Sequence, residues 1–159
     1  MNGFWRAITF LGEGGWFWIL LAVILLLMKK TRKVGAAAAI ALAIGTLITN
    51  VWLKNMVARV RPYDTYSALI LLASKPKDWS FPSGHTCASF ASAFVYFRLL
   101  PKKYGIPAII LACMIAFSRL YLGVHYPTDV LAGLLVGLLA SVLAIWIVRR
   151  FCENKKQTV

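Results

Sequence analysis

Both histidines of the chain stand in short polar clusters, and the residues around them suit one kind of chemistry. In chain order the clusters are Lys54-x6-Arg61-Pro62, Pro82-Ser83-Gly84-His85 and Ser118-Arg119-x5-His125-x3-Asp129. Two imidazoles, one carboxylate, three cations and a Ser-Gly turn are the parts needed to move a phosphoryl group.

His125 is the expected nucleophile. An imidazole attacks phosphorus through a deprotonated nitrogen while its other nitrogen is held. Asp129 follows four residues later, and Pro127 suits a first helical position. If that turn is helical, the two side chains share a face and the carboxylate accepts from the far ring nitrogen, fixing the tautomer. A carboxylate there is also an ordinary helix N-terminal charge. His85 is the expected acid: protonated, it gives a proton to the leaving oxygen, and neutral, it takes one from the water that follows. Ser83 is a good N-cap, and Gly84 lets the backbone approach a ligand, so the start of this helix can hold phosphate oxygens. Lys54, Arg61 and Arg119 spread positive charge over the equatorial oxygens. Arg119 lies between the apolar stretches 115–118 and 120–124, where an isolated cation needs a partner such as bound phosphate. Arg59 and Lys75 are read as surface charges, and Asp64 and Asp78 as turn residues. Only five acidic residues exist. Of these, Glu13, Asp64, Asp78 and Glu153 form no ligand-spaced cluster, so neither a metal nor another cofactor is expected.

The elements that must position these groups belong to a membrane. The chain has 159 residues, 60% of them hydrophobic, with mean hydropathy +0.74. Soluble domains are about 45–50% apolar. The excess lies in long uncharged runs, which predict a single all-α domain over 1–159, a polytopic membrane helical bundle. Five spans are expected, near 14–28, 34–53, 86–100, 104–121 and 130–148. Phe4, Trp5, Ile8 and Leu11 recur at helical spacing, so 2–11 reads as a short interfacial helix, or alternatively as an extension of the first span. Gly12, Gly14 and Gly15 favour a break between them. Ser89 and Ser92 should turn the third span toward protein. Gly133-x3-Gly137, the alanines of 36–41 and Gly45 allow close helix contact. Trp16, Trp18, Trp52 and Trp146 sit near span ends, as belt residues do. In the long loop 54–83, the apolar stretch 68–73 reads as an interfacial helix covering the site, with a substrate-facing lid as the alternative.

The net charge is +13. Most basic residues flank apolar runs, so the excess reads as topology and attraction to anionic headgroups, and no nucleic-acid partner is expected. With the N-terminus outside, eleven Lys and Arg fall on the cytoplasmic side (29, 30, 32, 33, 98, 102, 103, 149, 150, 155 and 156) and seven outside. That bias predicts an external N-terminus and a cytoplasmic C-terminus. All three clusters then meet on the extracytoplasmic face. Cys87, Cys113 and Cys152 are odd in number without CxxC spacing, so no disulfide framework or zinc site is expected, and Cys87 reads as a packing residue. The run 16–28 looks like a signal-peptide core, but 29–33 is basic where small residues would be needed, so no cleavable leader is expected.

Together the three clusters resemble the signature of the type-2 phosphatidic acid phosphatase family, which also includes the vanadium haloperoxidases. KxxxxxxRP stands at 54–62, PSGH at 82–85 and SRxxxxxHxxxD at 118–129. The resemblance implies an acid phosphatase/vanadium haloperoxidase-like fold. It implies a metal-independent lipid phosphatase with a phosphohistidine at His125, acid–base work by His85 and support from Asp129. Phosphate contacts would come from Lys54, Arg61, Ser83, Gly84 and Arg119. Membrane members often have six spans, one more than expected here. The best match among activities is an undecaprenyl pyrophosphate phosphatase acting on a phosphorylated lipid in the bilayer. Phosphatidylglycerophosphate, phosphatidic acid and lipid A are close alternatives, because the motifs read phosphate rather than tail. A phospholipid carrier would leave the histidines and Asp129 unexplained, and a vanadate-dependent peroxidase fits poorly with five apolar spans.

Overall fold

The computed structural model describes residues 2–67, 71–72 and 75–157, with backbone alone for Asn2 and 152–157. Its helices are α1 (Asn2–Leu11), α2 (Trp16–Leu27), α3 (Arg32–Thr46), α4 (Lys54–Val57), α5 (Pro62–Thr65), α6 (Gly84–Leu99), α7 (Lys102–Tyr121) and α8 (Pro127–Gln157). A 3-10 turn, Glu13–Gly15, joins α1 to α2, and a π-helical stretch, Leu47–Leu53, joins α3 to α4. No strand occurs among the described residues. Each expected span is a helix, and α7 and α8 start two to three residues earlier than hydropathy suggests.

Among the described residues, four stretches are long and apolar enough to cross a bilayer: Gly3–Leu27, Arg32–Thr65, Lys102–Tyr121 and Pro127–Phe151. The remaining expected span, α6, has only 16 residues, a length of about 24 Å against a hydrocarbon core of about 30 Å. Helix α6 is the centre of the bundle, packed against α3, α7 and α8. Thr86, Ser89 and Ser92 are fully buried along it. A helix walled by protein need not match the lipid thickness, and its hydroxyls face protein rather than hydrocarbon. The expectation that Ser89 and Ser92 face protein therefore holds.

Close packing comes from the small residues. A Cβ on Gly133 would lie 2.5 Å from the Ser83 carbonyl oxygen, and one on Gly137 would lie 2.7 Å from that of Cys87. Helix α8 thus presses its glycines directly onto the backbone of α6, just below the PSGH turn. Trp18 corrects the belt reading. It is 0% exposed and its indole nitrogen donates to Ser89 Oγ at 3.0 Å. Trp16, Trp52 and Trp146 are exposed. Periodicity near a span end does not say which face a residue takes, and Trp18 takes the inner one.

The α1–α2 boundary breaks at Gly14 (φ +55°) and Gly15 (φ +71°). A left-handed pair is open to glycine at little cost and turns the chain away from the α2 axis. Helix α1 then packs on α7, with the Trp5 ring 5.0 Å from Phe117 and 5.6 Å from Tyr121. Arg6 Nε donates to the Leu72 carbonyl at 2.9 Å. The expected covering helix at 68–73 falls largely on 68–70 and 73, which lie outside the described residues.

Candidate active site

The polar ends of α4, α6, α7 and α8 converge with the α1–α2 turn around a cavity of about 310 Å³. Lys54, Arg61, Gly84, His85, Arg119 and His125 line it, and so do Thr9, Glu13, Asn50 and Asp78.

His125 lies in the bend before α8, not on the helix. Its Nδ1 is 3.4 Å from Asp129 Oδ2, an ion-pair contact rather than a formed hydrogen bond. Such contacts are often long without substrate and tighten with it. Its Nε2 lies 3.4 Å from Arg61 Nη1. Asp129 is the third residue of α8, and its carboxylate accepts from the Tyr126 backbone N–H at 2.9 Å. This is half of a capping box, in which an acid near the helix start reaches back to the N-cap amide. The juxtaposition of His125 and Asp129 therefore arises from helix initiation, not from a shared helical face. Burial drives the His125 imidazole down to about 4. Asp129 pulls the other way, and the Arg119 and Arg61 cations reinforce the lowering. The ring is thus neutral near pH 7 and has a lone pair to use.

Asp129 is 0% exposed and has two further partners. Ser80 Oγ donates to Oδ2 at 2.5 Å, and Arg59 Nη1 donates to Oδ1 at 2.7 Å. Arg59 also donates to Thr128 Oγ1 and lies over the Tyr126 ring, 3.7 Å from its centre. The reading of Arg59 as a surface charge is corrected. A buried carboxylate needs compensation, and Arg59 supplies it from a loop that nothing local links to α8.

Arg61 is 4% exposed, and protein acceptors fix its guanidinium. It donates to the carbonyls of Asp78 (2.8 Å), Val124 (2.7 Å) and Trp79 (3.2 Å), and to Asp78 Oδ1 (2.6 Å). Lys54 Nζ contacts the other oxygen of the same carboxylate. Asp78 is therefore not a simple turn residue, because it bridges two cations of the site. Burial alone would raise its carboxyl, but Lys54 and Arg61 outweigh that and hold it below the usual range. Lys54 reaches this position because the π-helical stretch, where Thr49 Oγ1 donates back to the Gly45 carbonyl at 2.8 Å, re-registers the end of the α3 helix. Single π turns of this kind are frequent at functional sites.

Ser83 caps α6 as expected, its Oγ accepting from Thr86 N (3.4 Å) and Thr86 Oγ1 (2.9 Å). Its hydroxyl is thereby turned into the protein, and it does not line the cavity, whereas Gly84 does. Arg119 donates through Nη1 to Thr9 Oγ1 at 2.6 Å, while its Nε is buried without a partner. His85 Nε2 is also buried without a hydrogen bond and lies 3.6 Å from Glu13 Oε2. Thr9, Glu13, Asn50, Arg59, Ser80 and Asp78 are the site residues that sequence reasoning missed. Only Glu13 carried a signal, as the lone acid among the first 63 residues, set in a glycine turn. Lys75 is exposed, as expected of a surface charge, and pairs at 2.5 Å with Asp64, an expected turn residue that lies in α5.

The cavity thus presents cations and a neutral imidazole where a phosphate would sit. Among the described residues no three His, Cys, Asp or Glu side chains converge as metal ligands. The undecaprenyl-diphosphatase of Sulfolobus acidocaldarius is 37% identical to this chain over 141 residues, covering 87% of this chain and 68% of that protein. The crystal structure of Aquifex aeolicus LpxE superposes with a TM-score of 0.80 at 28% identity, over 91% of this chain and 84% of that one. A transmembrane PAP2-type phosphatidylglycerolphosphate phosphatase from Bacillus subtilis superposes at 0.71 and 29% identity, over 96% of this chain and 77% of that one. Residues 32–152, which carry all three clusters, match the PAP2 superfamily, and the chain belongs to that family.

Proposed function

We propose that this phosphatase removes the terminal phosphate of undecaprenyl diphosphate at the extracytoplasmic face of the membrane, through a phosphohistidine on His125. One observation carries the reading: a neutral, buried His125 whose Nε2 faces the cation-lined cavity while Nδ1 faces Asp129.

In the proposed reaction His125 Nε2 attacks the terminal phosphorus as the bond to the bridging oxygen breaks. Nδ1–H is held by Asp129, which stabilises the imidazolium as it forms. His85 gives its proton to the departing oxygen. Water then attacks the phosphohistidine, and His85 takes the proton released, so free phosphate leaves and the enzyme is regenerated. Lys54, Arg61, Arg119 and the α6 start at Gly84 stabilise charge on the equatorial oxygens. The substrate assignment rests on the likeness to the Sulfolobus enzyme. The likeness to the Bacillus phosphatase, which extends over nearly the whole chain, favours phosphatidylglycerophosphate as the second reading.

The test is phosphate release by purified protein in detergent with EDTA, on undecaprenyl diphosphate, phosphatidylglycerophosphate and phosphatidic acid, beside His125→Ala. Release by the native chain and loss of at least ~1000-fold in the variant are expected, consistent with removal of a nucleophile. A ³²P-labelled diphosphate should leave an acid-labile, base-stable label on the native protein. Equal release by His125→Ala would refute the nucleophile, and the ranking of the three lipids decides between the substrate readings.

A further inference from the structure

We infer that Glu13 is a positioning residue for His85, the counterpart on the acid side of the Asp129–His125 pair; the inference rests on the roles proposed above. Glu13 lies outside the segment that matches the family and outside all three clusters. The fold nevertheless aims it into the site. Glu13 opens the 3-10 turn between α1 and α2, lines the cavity, and holds Oε2 3.6 Å from His85 Nε2.

The backbone around it is shaped for that contact. A Cβ on Gly12 would lie 2.8 Å from His85 Cδ2, so the turn can approach the ring only without a side chain there. Gly14 and Gly15, both at positive φ, then carry the chain away into α2. The preceding turn of α1 is anchored by Thr9, which accepts from Arg119. The buried Nε2 of His85 has no hydrogen-bond partner, and the Glu13 carboxylate is the acidic group within ion-pair distance of it.

The chemical consequence concerns which nitrogen carries the transferable proton. A carboxylate that accepts from Nε2–H fixes the ring and its tautomer, and leaves Nδ1 to give the proton to the leaving oxygen. Glu13 stays ionised throughout. The proton that leaves His85 when the P–O bond breaks returns from the water that attacks the phosphohistidine. The contribution of such a group depends on the leaving group. An alkoxide from phosphatidic acid needs the proton, whereas a nitrophenolate or a phosphate monoester departs far more readily without one.

The experiment compares the native chain, Glu13→Gln and Glu13→Asp on short-chain phosphatidic acid and on p-nitrophenyl phosphate, with inorganic phosphate as a competitive ligand. Glu13→Gln should lower kcat on phosphatidic acid by ~10–100-fold, the range for a misplaced general acid. Inhibition by phosphate should stay within about 3-fold, and kcat/KM on p-nitrophenyl phosphate, which reports only the steps up to departure of nitrophenolate, should be nearly unchanged. Glu13→Asp should recover part of the loss. Equal loss of kcat/KM on both substrates would overturn the inference and make Glu13 a structural residue. Tighter phosphate binding with kcat retained would overturn it too, and would make Glu13 an electrostatic gate. Absence of a labelled His125 in the native chain would instead refute the catalytic reading itself, so the two failures are separable.

Discussion

His125 and Asp78 illustrate how much of this site is decided by single charges. The proposed nucleophile must be unprotonated, and burial lowers His125 to about 4 from its ordinary 6.5. The acidic limb of kcat/KM that belongs to His125 should therefore lie near pH 4, with this group fully competent above about pH 5. The same displacement has a sign for stability. Between its ordinary and its lowered value the unfolded chain holds more protons on this imidazole than the folded one, so the folded state weakens as pH falls through that window. A His125 imidazole that titrates near 6.5 when followed by NMR in the native protein would contradict both statements. Asp78 makes a different prediction. It puts a carboxylate on Lys54 and Arg61, where the proposed reaction also places the phosphate. Arg61 keeps three backbone acceptors without it. Asp78→Asn should therefore tighten inhibition by inorganic phosphate by ~3–10-fold, a modest gain because the carboxylate is half exposed and screened. Weaker inhibition would mean that Asp78 chiefly positions Lys54.

At the scale of elements, the α6–α8 contact controls the site because it lies directly beneath the PSGH turn. Gly133→Ala places a methyl 2.5 Å from the Ser83 carbonyl, and neither backbone can yield without moving the cap. A loss of ~1–3 kcal/mol is expected from overpacking, read as lower thermal stability in detergent together with reduced kcat. A variant as stable and active as the native chain would show that α8 can slide. Ala58 offers the reverse case. It holds φ +46° at the end of α4, with its N–H donating to the Lys54 carbonyl at 3.0 Å. A left-handed alanine costs roughly 1–2 kcal/mol, and glycine relieves it at some cost in chain entropy. Ala58→Gly should therefore raise the melting temperature, corresponding to ~0.5–1 kcal/mol, and should leave kcat unchanged, whereas a fall would mean that the turn toward Arg59 needs its stiffness.

For the whole molecule the prediction concerns orientation. The charge bias along the chain supports an external N-terminus, and the site-bearing ends of α4, α6, α7 and α8 lie together, so one assignment carries all of them. On a Cys87→Ala, Cys113→Ala, Cys152→Ala background, Tyr66→Cys should react with an impermeant maleimide in intact cells. Lys30→Cys should react only after permeabilisation. The opposite pattern would put the reaction on the cytoplasmic side. Helix α6 is shielded by its neighbours rather than by lipid, and α1 bends back onto α7 to close the site with Thr9, Gly12 and Glu13.

The sequence by itself determined the helices and the three clusters. Apolar runs of bilayer length have few folded alternatives to a helix, and phosphoryl chemistry demands a small set of residue types at short, local spacings. Ser83 as a cap and Pro127 as the first residue of α8 are local effects and were legible for that reason. Tertiary structure alone decided the support. Arg59 reaches Asp129 across 70 positions, Asp78 reaches Lys54 across 24, and Glu13 reaches His85 from a different helix–helix turn. No periodicity encodes such contacts, because each depends on how two helix ends are brought together. Trp18 was misread for the same reason: the inner and outer faces of an all-apolar helix differ only in what packs against them.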